Sequence, residues 1–451
     1  AGVARVAPDG GNVRDNRNSM AWIVWGVGVF AYSVTVMQRT ALGVAGLEAA
    51  DHFRTPPGVV STLVVVQLFS YAFAQVPIGV LLDRYGSRIM LTAGPLVVAA
   101  SQVLLGVADD LPLAYVARIL LGIGDACMFS SVLRLLPRWF PPARVPVLQQ
   151  VTGVFAAMGQ IASVVVVLPL LDGLGWRPGL LIAASLSVVG AAAAAAWVRN
   201  APYSEEVSVV DEPFSKIPRA VANVTRHPAT QLGFWVHFTS GFSTNAFLFM
   251  WGMPYLLVGQ GMTQLEASAY FTLLSVAMAG SGPILGALTA RHPLRRSNLA
   301  LIMVGALIAS WAVVLAWPGR APTIALVALV LLVAVNGPTT GIGFDFTRTN
   351  LPHTRLGAAN GVVNMGGFVG GTTLVLLMGF FLDQIAGGEA YTPDQLRLAW
   401  LLQIPFFVVG IVGLLLSRRS LRRRMAAQGV VVPSWREVVE RIRRKRAAGA
   451  A

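Results

Sequence analysis

Apolar positions in this chain come in long runs, bounded by short clusters of charge, Pro and Gly. The runs cover 20–47, 58–82, 89–108, 112–136, 146–171, 178–198, 231–259, 266–290, 297–317, 322–346, 356–382 and 397–417. A helix needs about 20 apolar residues to cross ~30 Å of hydrocarbon, so each run predicts one membrane-spanning helix. The polar leader before Met20 does not read as a cleavable signal, because the apolar run behind it is too long for a signal core. The longest polar interruption, 199–230, carries Glu205, Glu206, Asp211 and Glu212 and separates six runs from six. The predicted organisation is a leader (1–19), a six-helix bundle (20–198), a linker (199–230), a second bundle (231–417) and a basic tail (418–451).

Internal symmetry supports that division. The loop after the second run reads Gly79-Val-Leu-Leu-Asp83-Arg84-Tyr-Gly86-Ser-Arg88. Shifted by 207 residues, the loop after the eighth reads Gly286-Ala-Leu-Thr-Ala290-Arg291-His-Pro293-Leu-Arg295, with Gly and both Arg at the same spacing. A second match, shifted by 211, pairs Pro141-Pro-Ala-Arg144 with Pro352-His-Thr-Arg355. Two matches at nearly one offset indicate duplicated six-helix units. The expected fold class is therefore an all-α membrane protein, twelve transmembrane helices in two pseudo-symmetric six-helix bundles.

Composition adds one decision. Of 451 residues 55% are hydrophobic and only 12% charged, half the roughly 25% of soluble domains. The net charge of +14 invites a nucleic-acid reading, but the positions of the charges oppose it. With the N-terminus inside, 28 of the 34 Lys and Arg fall in inside segments, four in outside loops, and two, Arg39 and Arg118, within spans. That asymmetry predicts both termini in the cytoplasm of a cell whose inner membrane holds the protein. Nucleic acid is not an expected partner, and a monomer is expected. The single Cys127 excludes a disulfide framework, and the five His show no ligand spacing. No phosphate-cradling Gly loop, nucleophile–base set or metal constellation is visible, so neither an enzyme nor a cofactor is predicted.

The loop Gly79-x-x-x-Asp83-Arg84-x-Gly86-x-Arg88 resembles the signature of the major facilitator superfamily, departing at Ser87. Arg118-x-x-x-Gly122-x-Gly124 and Gly175-Trp176-Arg177 are similar to further motifs of that family, and the resemblance covers almost the whole chain. It implies secondary transport by alternating access, with spans 1, 4, 7 and 10 lining a central cavity and 3, 6, 9 and 12 facing lipid. The near-pure Ala, Leu, Val and Ile content of span 6 agrees. Arg39 together with Trp139-Phe140-Pro141-x-x-Arg144 resembles the anion:cation symporter group. The span 5 stretch Gly153–Gln160 lacks the Pro of drug antiporters. Asn364-Met-Gly366-Gly367 is similar to nitrate carriers, whose Arg in spans 2 and 8 is missing here.

Ionisable residues inside spans are costly, about 2.5–3.5 kcal/mol each on insertion scales, and mark candidate sites. Tyr32, Thr35 and Arg39 share one face of span 1. Arg39 either holds a carboxylate, phosphate or sulfonate, pairs with Asp125, or reaches the outer interface. Arg118 and Asp125 of span 4 lie seven residues and about 10 Å apart on one face. Asp125 is either the coupling proton site or a permanently ionised partner of an Arg. The 211-residue shift maps Asp125 onto Asn336, which opens Asn336-Gly337-Pro338, either a substrate-binding interruption or a plain Pro kink. Ser243 and Asn245 of span 7 are substrate or inter-helix hydrogen-bonding groups, and His237 reads as a satisfied structural His. Asp83, Arg84, Arg88, Arg134 and Asp345 form a candidate cytoplasmic gate, with Asp83 also suited to the start of span 11. Ser434 to Arg444 reads as an amphipathic helix on anionic lipid. The expected function is transport of a small solute, an organic anion being favoured, by proton-coupled symport. Proton-antiport efflux of drugs or metabolites is the alternative, and a receptor without flux a more distant one.

Overall fold

A computed structural model describes residues 10–202, 217–387, 390–430 and Glu437. The predicted tail helix after Pro433 lies outside the described residues apart from Glu437. Among the described residues, ten helices are long and apolar enough to cross a membrane. One of them, Pro57–Val107, is two spans joined at Gly86. Its first part runs parallel to the fourth span, Gln67 lying beside Arg118 and Leu82 beside Arg134. Its second part runs antiparallel, Gly94 facing Gly124 and Ser101 bonding the Ala117 carbonyl. The reversal needs φ +80° at residue 86, a conformation glycine adopts without steric cost. The seventh span is the stretch Pro228–Ala246, continued by π-helical turns Phe247–Trp251 and Tyr255–Gly259. Twelve spans result, as the apolar runs predict.

We number them span 1 (Asn18–Gly43), spans 2 and 3 (57–85 and 87–107), span 4 (Leu111–Trp139), span 5 (Val145–Leu174) and span 6 (Trp176–Trp197). Span 7 is 228–259, span 8 Gln264–Arg291, span 9 Pro293–Ala316, span 10 Thr323–Asn350, span 11 His353–Ala386 and span 12 Pro393–Ala427. Helices suit this solvent because each satisfies its own backbone. Asp110, Thr263 and Thr392 cap the starts of spans 4, 8 and 12, the latter two as full capping boxes with Glu266 and Gln395. Span 12 runs ten residues beyond the predicted 417, through Arg418 to Arg424, since the backbone stays helical while long side chains carry their charge to water. Span 1 stops at Val44 rather than 47, and a separate helix, Gly46–His52, follows.

One apolar core unites spans 1 to 6 and takes in Phe344 of span 10 and Val363 of span 11, another unites spans 7 to 12, and exposed Val188, Val189, Ile302 and Leu416 stand on spans 6, 9 and 12, as a lipid-facing surface requires. The halves meet at the end that carries the Arg-rich loops, which we call the basic end. Small residues let main chains touch there. Gly79 lies against the Gly357 carbonyl, and a Cβ at Gly286 would sit 2.8 Å from the Pro146 carbonyl oxygen. The two repeat offsets, 207 and 211, carry Gly79 to Gly286 and Pro146 to Gly357. They carry Gln75 facing Gly361 to Gly282 facing Gln150 in the same way. One contact is thus made twice, once between spans 2 and 11 and once between spans 8 and 5. The linker contributes a short helix, Ile217–Arg226, whose Val224 is buried against Ala358 and Ala359 of span 11, beside Val80 of span 2.

Because both contacts are backbone to glycine, Gly79→Val and Gly286→Val should each hold the basic end apart. Spin-label distances measured across that end should lengthen in both variants. Distances matching the parent protein would show that these glycines do not set the approach.

Candidate functional site

The intramembrane charges converge on one place. Arg39 Nη1 lies 3.3 Å from Asp125 Oδ2, the carboxylate being fully buried and the guanidinium 13% exposed. Arg39 sits in the last turns of span 1, toward the end opposite the basic loops, and its length brings the charge back to Asp125. Asp125 precedes a break in span 4 at Cys127, where helix Leu111–Ala126 gives way to Met128–Trp139. Arg118 is fully buried on the same face, donating to Gln67 Oε1 of span 2 and, at 3.3 Å, to the Arg39 carbonyl. Arg118 therefore braces the backbone that carries Arg39. Arg118 adds a second guanidinium beside the Arg39–Asp125 pair, so the three residues together carry one positive charge in excess.

Span 2 and the second half complete the site. Arg39 stands over the Tyr71 ring, 5.6 Å from its centre. Asn364 of span 11 donates to the Tyr71 hydroxyl at 2.8 Å, and Phe368 packs on the same ring. Tyr32 lies on the same face of span 1 as Arg39 and packs on Phe129. The cluster so gathers groups from spans 1, 2, 4 and 11.

Other predicted residues go elsewhere. Thr35 is buried and donates to the Ala31 carbonyl of its own helix. Ser243 bonds Gln403 at 2.9 Å and accepts from the Trp311 indole at 3.1 Å, which ties spans 9 and 12 to span 7. Asn336 donates to the carbonyls of Met303 and Leu332, inside the second half. Asn245 donates to the Gly367 carbonyl but stays partly exposed. His237 accepts from the Gly367 N–H, as a structural His does.

At the basic end, Asp83 accepts from the N–H groups of Gly357 (2.7 Å) and Ala358 (2.8 Å), the first turn of span 11. A carboxylate at a helix start is favoured by its free donors and dipole. Arg134 approaches Asp83 at 3.7 Å and donates to the Leu82 carbonyl. Arg134 and Asp345, both in the candidate gate, do not pair with each other. Asp345 pairs with Arg348 (2.7 Å) and Arg296 (3.6 Å) of its own half, because those guanidiniums reach it without crossing the interface. Arg88 donates to the Ala195 carbonyl, tying the loop to span 6, and Arg84 lies over its neighbour Tyr85. Opposite it, Gln149 and Gln150 of span 5 donate to the carbonyls of Gly341 and Pro338 in span 10. Tyr71, Gln67, Gln149 and Gln150 were not predicted as site residues. The available signal was an amide or phenol inside an otherwise apolar span.

The profile of the Major Facilitator Superfamily matches residues 28–375. The chain belongs to the Major Facilitator Superfamily. It is a multi-pass membrane transporter and not an enzyme. Among similar proteins, the "Probable galactarate/D-glucarate transporter GarP" of Escherichia coli (strain K12) is 24% identical over 396 residues, covering 78% of this chain and 86% of that one. The "Probable sulfoacetate transporter SauU" of Cupriavidus necator is 24% identical over 300 residues, 63% and 68% of the two chains. The crystal structure of FucP in the outward conformation superposes with a TM-score of 0.65 at 16% identity, covering 87% of this chain and 99% of that one. That likeness shows the major facilitator fold.

A buried pair broken on one side leaves an uncompensated charge. Asp125→Asn should therefore destabilise the protein by about 3–5 kcal/mol, and adding Arg39→Gln should recover part of that loss. Thermal midpoints of the purified variants test the coupling, and strictly additive losses would count against it.

Proposed function

We propose that this transporter moves a small organic anion bearing hydroxyl groups, by proton-coupled symport across the inner membrane, with Arg39 as anion anchor and Asp125 as proton site. One observation carries the reading: the buried cluster of Arg39, Arg118 and Asp125 is one negative charge short of neutrality. An ion left alone in a low-dielectric interior is costly. In the empty carrier Asp125 neutralises Arg39. A proton on Asp125 frees Arg39, whose planar fork suits a carboxylate or sulfonate, so anion and proton are favoured together. Tyr71 and Asn364, hydrogen-bonded to each other across the halves, are placed to exchange that bond for substrate hydroxyls. The names of the similar proteins, transporters of galactarate/D-glucarate and of sulfoacetate, support an organic acid.

The excess of Lys and Arg supports a cytoplasmic basic end and cytoplasmic termini. On that orientation Asp83, Arg84, Arg88, Arg134 and Asp345 belong to the cytoplasmic gate. The hydrogen bonds and ring contacts seen between halves lie at that end or at the centre, as in a state closed to the cytoplasm.

Reconstituted into liposomes, the protein should accumulate a sugar acid against its gradient when the lumen is alkaline. Arg39→Gln should lower uptake on the order of 100-fold with insertion intact, and Asp125→Asn should flatten the pH dependence while sparing exchange. Undiminished uptake by the Arg39 variant would remove the anchor role. Accumulation only when the proton gradient opposes substrate entry would replace symport with antiport.

A further inference from the structure

Span 10 contains an irregular turn that the central cluster does not use. Pro338 removes one intrahelical donor, and the helix tightens behind it. The Gly341 N–H donates to the Pro338 carbonyl (3.0 Å), Gly343 to Thr340 (3.0 Å) and Phe344 to Gly341 (3.2 Å), all between residues three apart. Regular helix resumes at Ile342. Tightened turns inside a long helix often mark hinges. On one side Asn336 ties the preceding turn to Met303 of span 9, so the second half grips it. On the other side the carbonyls of Pro338 and Gly341 face the first half. Gln150 Nε2 donates to Pro338 at 2.9 Å and Gln149 Nε2 to Gly341 at 2.6 Å.

The fit leaves no slack. A Cβ at Gly341 would stand 2.6 Å from Gln150 Nε2 and 3.1 Å from Gln149 Nε2, while the Gln150 stem packs on Gly282 of span 8. Both glutamines are buried. These two bonds join span 5 to span 10 and can exist only while the halves are together at the basic end. In the other corner Asp83 closes span 2 onto the start of span 11. The residue at the repeat-equivalent position of Asp83 is Ala290, so the span 5–8 corner has no such carboxylate.

We propose that Gln149 and Gln150 are the latch of that corner: positioning residues that hold the 338–344 turn of span 10 while the basic end is closed and release its carbonyls to water when it opens. The two corners then close by different chemistry, an anion on main-chain N–H groups in one and neutral amides on main-chain carbonyls in the other. A neutral hydrogen bond biases an equilibrium by roughly fivefold, and two by about thirtyfold.

The test uses the full-length protein in lipid nanodiscs with spin-label pairs across the basic end and across the opposite end. The paired variant Gln149→Leu/Gln150→Leu keeps side-chain volume and removes the donors. It should shift the basic-end distribution toward longer distances and the opposite end toward shorter ones. Gln149→Glu/Gln150→Glu sets carboxylates against carbonyl oxygens and should shift it further. In uptake assays normalised to the amount of folded carrier, the Leu pair should change the maximal rate per molecule more than KM. If the Leu pair fails to insert, Gln149→Asn/Gln150→Asn, whose amides are too short to reach, takes its place. Unchanged distances in folded Glu and Leu (or Asn) pairs would overturn the latch. The distances are read without substrate, so an error in the proposed substrate class leaves the outcome intact.

Discussion

An ionised side chain between helices in hydrocarbon must find a partner, and this constraint arranges the centre of the molecule. Arg39 and Asp125 neutralise each other at 3.3 Å, and Arg118 is held by Gln67 and by the backbone of Arg39. Each of these groups comes from the first half. The repeat-equivalent of Asp125 is the neutral Asn336, and the second half offers the cluster an amide, Asn364. The two bundles share one plan, but among the described residues the charges of the central cluster come only from the first. On the proposed reading, the charged half fixes the ionic end of the substrate and the neutral half meets its hydroxyls.

The same division of labour governs closure. Backbone approach at the basic end is symmetric, with Gly79 against Gly357 repeated as Gly286 against Pro146. Close approach depends only on missing side chains, so both copies of the repeat retained it. The polar clasps are not symmetric. Asp83 takes the free N–H groups of span 11, while its counterpart Ala290 can take none, and the glutamines of span 5 face a helix break in span 10 instead.

Twelve spans and two halves were legible in the sequence because each rests on composition along the chain, while the pairing of Arg39 with Asp125 was one of three alternatives that a single costly charge left open. The span limits that moved did so where polarity and helicity part company, as along Arg418 to Arg424, which is charged and still helical. Partner choice was less legible. Ser243 read equally as a substrate or an inter-helix group and Asn336 as a binding interruption or a plain kink; both bond within the second half, because a hydroxyl or amide has many acceptors within reach of a neighbouring helix. Arg134 and Asp345 share the repeat offset but not a contact, since an offset relates positions and says nothing of which side chains meet. Tyr71 escaped notice because a phenol fits an apolar run without breaking it.

The two kinds of contact also differ in what opening demands of them. At the basic end Asp83 and the two glutamines bind main-chain groups at a helix start and a helix break. Water can take over both sides of such bonds, so the net cost of parting them is about 1 kcal/mol for each neutral amide bond and about 1.5–3 kcal/mol for each bond to the Asp83 carboxylate. Arg39 and Asp125 have no such exit, since the carboxylate is fully buried between spans 1 and 4. On the proposed reading their pairing changes when a proton reaches Asp125 and an anion reaches Arg39. On that reading the carrier keeps its gate easy to move and makes the central pair answer to cargo, which is the condition for coupling the two.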